Sequence, residues 1–435
     1  MHPLPFHLAA ARGSLLTLLA GLALLLLGAC GEPPWNNPHP PVRDDLVTYK
    51  SVMTPSPPKH LDPAVSYASD EALFIMQIYE PPMAYHFLKR PYELLPGALA
   101  SFPEVAYLDQ NGGELVDPTG EVAYTRYTLR LRDDLQYQPH PAFALDEDGE
   151  PLYLFATAAE GATFRAIPDF PETSSRPVYA NDYAYSIKRL ADPRNGSPML
   201  GFMSQYILGM REFSGILAET PAEEWQNLDD YPMEGLSVLD ERTLTITIMG
   251  RYPQFVYWLA MPFFSPVAPE VDRFYHNPGF AERNLTLDWW PVGSGPFMMV
   301  RNNPNSEIVL ERNPNYRQEF FPTEGAPGDL EAGFLEDAGK PIPFVERAVF
   351  RLEKEVLPLW TKFLQGYYDR SGEVHGNTNG VFDQAFVVGP DGVTVSGELE
   401  QHRVSMSPDV KPGIYYYGFN MRDPVVGGYT EEKRK

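Results

Sequence analysis

The 435-residue chain carries 34 basic against 58 acidic residues, a formal charge of −24, and 43% of its residues are hydrophobic. That balance excludes a nucleic-acid binder, opposes attachment to an anionic lipid surface and suits cationic ligands, while the apolar content excludes a disordered chain. The length exceeds what one core fills, so two or three domains are expected.

At the amino terminus Arg12 gives a weakly positive start, and Leu15 to Leu27 follow as an uncharged apolar run of about 13 residues. This is the length of a signal-peptide core and short of the ~20 residues that span a bilayer. The run ends at Cys30, the one cysteine, so an internal disulfide or multi-thiolate metal site is excluded and an intermolecular bridge is left open. Leu27, Gly28 and Ala29 before it make the segment resemble the lipobox of bacterial lipoproteins. That resemblance implies a diacylglyceryl group on Cys30, cleavage on its amino side, and a mature chain lipid-anchored to the membrane on the periplasmic or extracytoplasmic side of the cell envelope. A membrane anchor helix, or a signal peptide that happens to contain a cysteine, is the alternative, and inner against outer membrane stays open.

Residues 1–29 thus read as the lipoprotein signal peptide, and 30–45, with five prolines between Gly31 and Asp45, as an extended spacer. "LVTYKSVM" predicts a short strand, and "SYASDEALFIMQIYEPP" a helix closed by Pro81 and Pro82. "YTRYTLRLRDDLQY" alternates Tyr127, Leu129 and Leu131 with polar residues, the period of a half-buried strand. "VYANDYAYSIKRLADP" places Tyr183, Ile187 and Leu190 on one helical face, with Asn181 as the cap and Pro193 as the stop. "SVLDERTLTITIM" predicts a hairpin whose second arm turns Leu244, Ile246 and Ile248 to one side. Strands and helices intermix, so the fold class is α/β, and no repeat of 20 to 50 residues is present.

Catalytic spacing is missing. There is no HExxH, GxSxG or P-loop, and the nine histidines are scattered singly, so no cofactor, metal site or catalytic residue is assigned. "PVGSGPF", Pro291 to Phe297, lacks the lysine and helix start of a phosphate cradle and predicts a tight turn where backbone passes close to backbone or ligand.

In order, "LDPAVSYASDEALFIMQIYEPP", "YTLRLRDDLQY", "VYANDYAYSIKRLADPRNGSP", "LSVLDERTLTITI", "WWPVGSGPF", "ERNPNYR" and "FLQGYYD" resemble the family 5 extracellular solute-binding proteins, the dipeptide and oligopeptide receptors of bacterial ABC importers. The likeness runs from about Leu46 to Met421, with 141–177 and 321–341 longer than the common pattern. It implies a two-lobed periplasmic binding protein fold, type II-like, closing on ligand by a hinge. Lobe I would hold a core domain at 46–85 and 236–345 and an inserted domain at 86–235, and lobe II would open at 346–435. The resemblance also implies a monomer that captures peptides and delivers them to a permease with its ATPase subunits, and no enzyme activity. It points to Tyr67 and Ser69 after "LDP", and to Met199 and Leu200 after "ADPRNGSP", as ligand contacts. "GIYYYGFNM", Gly413 to Met421, would be a lobe II strand whose alternating faces bring a tyrosine, Tyr416, to the cleft. Asp369 is expected to be structural. Family members usually continue past the point matched by Lys435, which implies an incomplete second lobe, residues beyond about 346 loosely packed, and weak or no peptide binding. Rival readings are a receptor for a metal chelate, haem or sugar and, from another class, an envelope hydrolase with a dispersed triad.

Overall fold

The computed structural model describes residues 38, 46–53, 56–116, 119–220, 225–372, 380–390, 392–406 and 417–427. In chain order the elements that carry the architecture are strand β1 (Thr48–Met53), helix α1 (Ser69–Ile78), and strands β2 (Met83–Tyr85), β3 (Leu94–Pro96), β4 (Glu104–Leu108) and β5 (Tyr124–Arg130). Helices α2 (Ala180–Ala191) and α3 (Met210–Ala218) follow, then strands β6 (Leu236–Asp240) and β7 (Thr243–Met249), and helix α4 (Pro269–Tyr275). Strands β8 (Phe297–Asn303), β9 (Glu307–Arg312) and β10 (Arg347–Leu352) and helix α5 (Val356–Leu364) complete this part. The chain divides into two compact units, Met1–Glu373 and Val374–Lys435.

Two four-stranded sheets frame the first unit. One runs β1-β10-β9-β8, with β1 parallel to β10 in the register Thr48↔Arg347 and the other pairs antiparallel. The other is antiparallel throughout, β4-β5-β7-β6. Strand β5 buries Tyr127 and Leu129, with Leu131 buried just beyond it, and β7 buries Leu244, Ile246 and Ile248. The period-two patterns therefore point to one shared core. Helix α2 goes further than its periodicity suggests, since every residue from Asp182 to Ala191 is buried. It is a central helix packed against β6, β7 and α3.

The expected Asn181 cap is not what starts α2. Asn181 lies inside the first turn, with its Nδ2 donating to Asp229, and the Asp182 carboxylate accepts from the Tyr179 N–H at 2.9 Å. Asp182 also takes both Nη groups of Arg176 at 2.8 Å, and its place three residues after Tyr179 is what lets its carboxylate reach back to that N–H.

The tight turn expected at Pro291–Phe297 is the meeting point of several of the sequence segments. Gly295 N–H donates to the Ile78 carbonyl at the end of α1, at 2.8 Å. A Cβ on Gly293 would stand 2.7 Å from the Ile78 carbonyl carbon and closer still to its oxygen. Around it, Asn313 Nδ2 donates to Gly295 O, Asn315 Nδ2 donates to Tyr137 O, and Gln138 N–H donates to Gly293 O. Arg317 Nε donates to buried Glu80 at 3.0 Å. Burial outweighs this attraction and pushes the Glu80 carboxyl up to about 7. Thus "IYEPP", "LQYQP", "GSGPF" and "NPNYR" form one knot, and their glycines and asparagines are required by the close approach of backbones.

Beyond residue 346 the structure departs from expectation. Residues 347–352 are not loose: β10 lies between β1 and β9, and Phe350, 4% exposed, meets Phe74 of α1 at a ring separation of 4.9 Å. Leu359 and Trp360 of α5 are buried, and Asp369 closes this stretch by accepting from Lys50 N–H at 2.7 Å, the structural role expected of it. The boundaries expected at 235 and 346 do not coincide with the pairing, because β6 and β7 join the sheet of β4 and β5, and β10 joins that of β1. Apolar alternation fixed the strands, but a partner some 300 positions away leaves no mark on a local pattern.

In the second unit, helix α6 (Val381–Ala385), the hairpin of β11 (Phe386–Gly389) and β12 (Gly392–Val395), and helix α7 (Gly397–Gln401) enclose Val381, Ala385 and Leu399. The strand expected at 413–421 is absent from its described part, and Tyr417 is fully exposed. No ladder partner lies alongside these residues among those described, and a strand needs one.

Candidate functional site

The loop 60–69, which leads into α1, is tied down by hydrogen bonds and has an exposed end. Its inner side is buried at Leu61, Asp62, Ala64 and Ser66, while Tyr67 is 69% exposed and Ser69 is also exposed. Charge holds this shape. Asp62 accepts Arg189 Nη1 at 2.8 Å and Nη2 at 2.7 Å, a bidentate pair with both partners buried. The same guanidinium gives its Nε to Asp272 at 2.9 Å, and Asp272 also accepts from Tyr185 Oη and Trp225 Nε1. Burial works against the charge on Asp272, but Arg189 foremost, with the donors around it, holds its carboxyl below the ordinary range. On the outer side, Asp288 accepts the Asp62 N–H and pairs with His60 Nδ1 at 3.3 Å.

A second carboxylate closes the loop. Glu71, in the first turn of α1, accepts from His60 N–H, Ser66 Oγ, Tyr67 N–H and Ala68 N–H at 2.9–3.0 Å. Burial alone would raise its pKa, but the four hydrogen bonds, Ala68 first, outweigh that and lower it. A carboxylate in the first turn also meets the positive end of the helix dipole.

The other expected contact segment grows from the end of α2. Asp192 caps a turn at Pro193–Asn195, accepting the Arg194 N–H at 3.0 Å, and Gly196 takes the left-handed backbone (φ 68°) that releases the chain toward Met199. Met199 is buried in the main core and Leu200 packs against that core. The structure therefore presents Tyr67 and Ser69 to solvent but turns Met199 inward, and no hydrogen bond or ring contact joins the two pairs. They are related through Arg189, whose side chain holds Asp62 and whose carbonyl accepts Asn195 Nδ2 at 2.8 Å. Tyr416 and Cys30 lie outside the described residues.

A cavity of about 180 Å³ borders this network, lined by Arg189, Asp192, Arg194, Trp225, Asp272 and His276 among others. Among the described residues, Tyr67, Ser69, Met199 and Leu200 do not line it, and its arginines are paired with Asp62, Asp272 and Asp192. His140, elsewhere in the core, is closed in by Phe143, Phe274 and Tyr275, and burial alone pushes its imidazole down to about 3. Its Nδ1 accepts the Ala142 N–H and its Nε2 meets Tyr275 Oη, each at 3.1 Å, a structural role. Among the described residues no cluster of three or more His, Cys, Asp or Glu side chains is placed to hold a metal, and no helix is long and apolar enough to cross a membrane.

The family model for bacterial extracellular solute-binding proteins, family 5 Middle, matches residues 169–427. The periplasmic oligopeptide-binding protein OppA of Salmonella typhimurium is 26% identical over 214 residues, which is 49% of this chain and 35% of that protein. The dipeptide-binding protein DppE of Bacillus subtilis is 26% identical over 184 residues, 41% of this chain and 29% of that one. The probable deoxycholate-binding periplasmic protein YgiS of Escherichia coli is 26% identical over 145 residues, 33% and 24%. The matched part thus spans about a third of the curated relatives' length or less. Among solved structures, an oligopeptide-binding protein of Borrelia burgdorferi superposes with a TM-score of 0.46 at 18% identity, covering 74% of this chain and 46% of that one. With the family model matching more than half of its residues, the chain belongs to the bacterial extracellular solute-binding proteins of family 5.

Proposed function

We propose that the protein is the substrate-binding receptor of an ABC importer, taking up peptides outside the cytoplasm and handing them to a membrane permease and its ATPase subunits. Family membership over residues 169–427 carries this reading, and two of the relatives are named for binding oligopeptides or dipeptides. The geometry supports capture rather than catalysis: Tyr67 and Ser69 stand on a loop fixed by buried charge, a rigid mount for a binding contact. In this reading ligand is held largely through main-chain hydrogen bonds, so that varied side chains are accepted.

Mass spectrometry of what copurifies, followed by thermal unfolding with added peptide, tests it. Peptide at 100 times Kd should stabilise the folded protein by about 2.7 kcal/mol and be recovered uncleaved. Steady turnover of the peptide would overturn the assignment. The likeness to YgiS favours one second reading, and stabilisation by deoxycholate with none by peptides would put a bile acid in the peptide's place.

We further propose that Cys30 carries the lipid that tethers the receptor, on the strength of Leu27–Gly28–Ala29 before it. Cys30→Ser should abolish metabolic labelling with palmitate and move the protein from the membrane to the soluble envelope fraction. Undiminished labelling of the variant counts against the anchor.

A further inference from the structure

We infer that Glu71 is the positioning residue of the Tyr67–Ser69 loop: its carboxylate, rather than packing, sets the backbone path that presents these residues to a ligand. The ligand half of this rests on the receptor reading above; the loop half does not.

The argument starts from what could otherwise hold the loop. Leu61, Asp62 and Ala64 are buried, so the first half is fixed by packing and by Arg189. Tyr67, Ala68 and Ser69 are exposed, and Tyr67 packs against no core cluster. Their backbone has a different tie. Glu71, 3% exposed, reaches both ends of the loop with one side chain. Its Oε1 accepts His60 N–H at 2.9 Å, and its Oε2 accepts Ser66 Oγ, Tyr67 N–H and Ala68 N–H at 3.0 Å each. These four donors converge on two oxygens, an arrangement an anionic carboxylate satisfies and a neutral amide does not. A glutamine there would leave at least one N–H facing its own NH₂ group. An aspartate keeps the charge but, one methylene shorter, does not span from His60 to Ala68.

Hydrogen exchange over residues 60–71, read on the full chain together with peptide affinity, tests both halves. Glu71→Gln and Glu71→Asp should each speed exchange of the Tyr67 and Ala68 amides at least tenfold. Phe213→Leu, a change in the main core, should lower Tm while leaving those amides protected, which separates positioning from general destabilisation. Peptide affinity, measured well below Tm, should fall about tenfold in the Glu71 variants and stay unchanged in Phe213→Leu. Amides still protected in both Glu71 variants would overturn the inference, as would released amides with full peptide affinity. If the unaltered protein binds no peptide, the receptor reading fails, and the exchange rates alone still decide whether Glu71 sets the loop. The Asp variant retains the charge of the site and serves if the Gln variant does not fold.

Discussion

Arg189→Met should destabilise the protein by on the order of 3–5 kcal/mol, the usual loss when one partner of a buried charge network is removed. Methionine keeps most of the apolar stem, so the substitution isolates the guanidinium. Asp272 would retain Tyr185 Oη and Trp225 Nε1 as donors, but Asp62 would keep only the Ala64 N–H for its carboxylate among the described residues. Asp62 is therefore the group left most in want of a countercharge. Because it roots the exposed loop, the loop should loosen before the helix does. Chemical denaturation gives the magnitude. The double variant Arg189→Met, Asp62→Leu should recover much of the loss, since the cost lies in the stranded carboxylate rather than in a missing attraction. A loss below about 1 kcal/mol for the single variant, in the range of exposed pairs, would mean that water from the adjoining cavity solvates the site and that the network is not structurally important.

Gly293→Ala should be at least as damaging, about 3 kcal/mol or more, the upper end of overpacking. The obstacle is space, not dihedral angle. The added methyl meets backbone on α1, which has no rotamer to yield, and the displaced Ile78 carbonyl is the one that accepts the Gly295 N–H. Movement there would also pull on Asn313 and Gln138, which fasten the same turn. Gly201→Ala provides the contrast: nothing lies within 4 Å of its Cβ position, and a helical Gly→Ala change without strain is neutral or stabilising by about 0.4–1 kcal/mol. A Gly293→Ala protein with an unchanged Tm would refute the close-approach account of "GSGPF".

What the sequence showed and what it hid follow from the range of each interaction. Periodicity located β5, α2 and the β6–β7 hairpin because burial on one face repeats within a few residues. The tight turn at Gly293 and Gly295 was legible as a close approach, but its partner, the last carbonyl of α1, was not. Arg189 stood in plain view within the helical pattern "DYAYSIKRLA", and a buried cation demands a buried anion. Nothing local chooses Asp62 and Asp272 from the 58 acidic residues. Glu71 was the more recoverable omission, since an acidic residue three positions after Ala68, at the start of a helical pattern, is where a carboxylate returns to the loop before it. Met199 shows a different limit. A position carried over from relatives says where the chain passes, not which way the side chain turns, and here it turns into the core.

The parallel pairing of β1 with β10 sets a schedule for the chain's assembly. Among the described residues β1 has no other neighbour in its sheet, and its register partner for Thr48 is Arg347. At about 5–20 residues per second of synthesis, β10 emerges some tens of seconds after β1. Throughout that interval the first strand lacks its ladder partner, and the knot around Gly293 waits for residues up to Arg317. The strand of this sheet that is made first therefore waits for the one made last before its ladder can form.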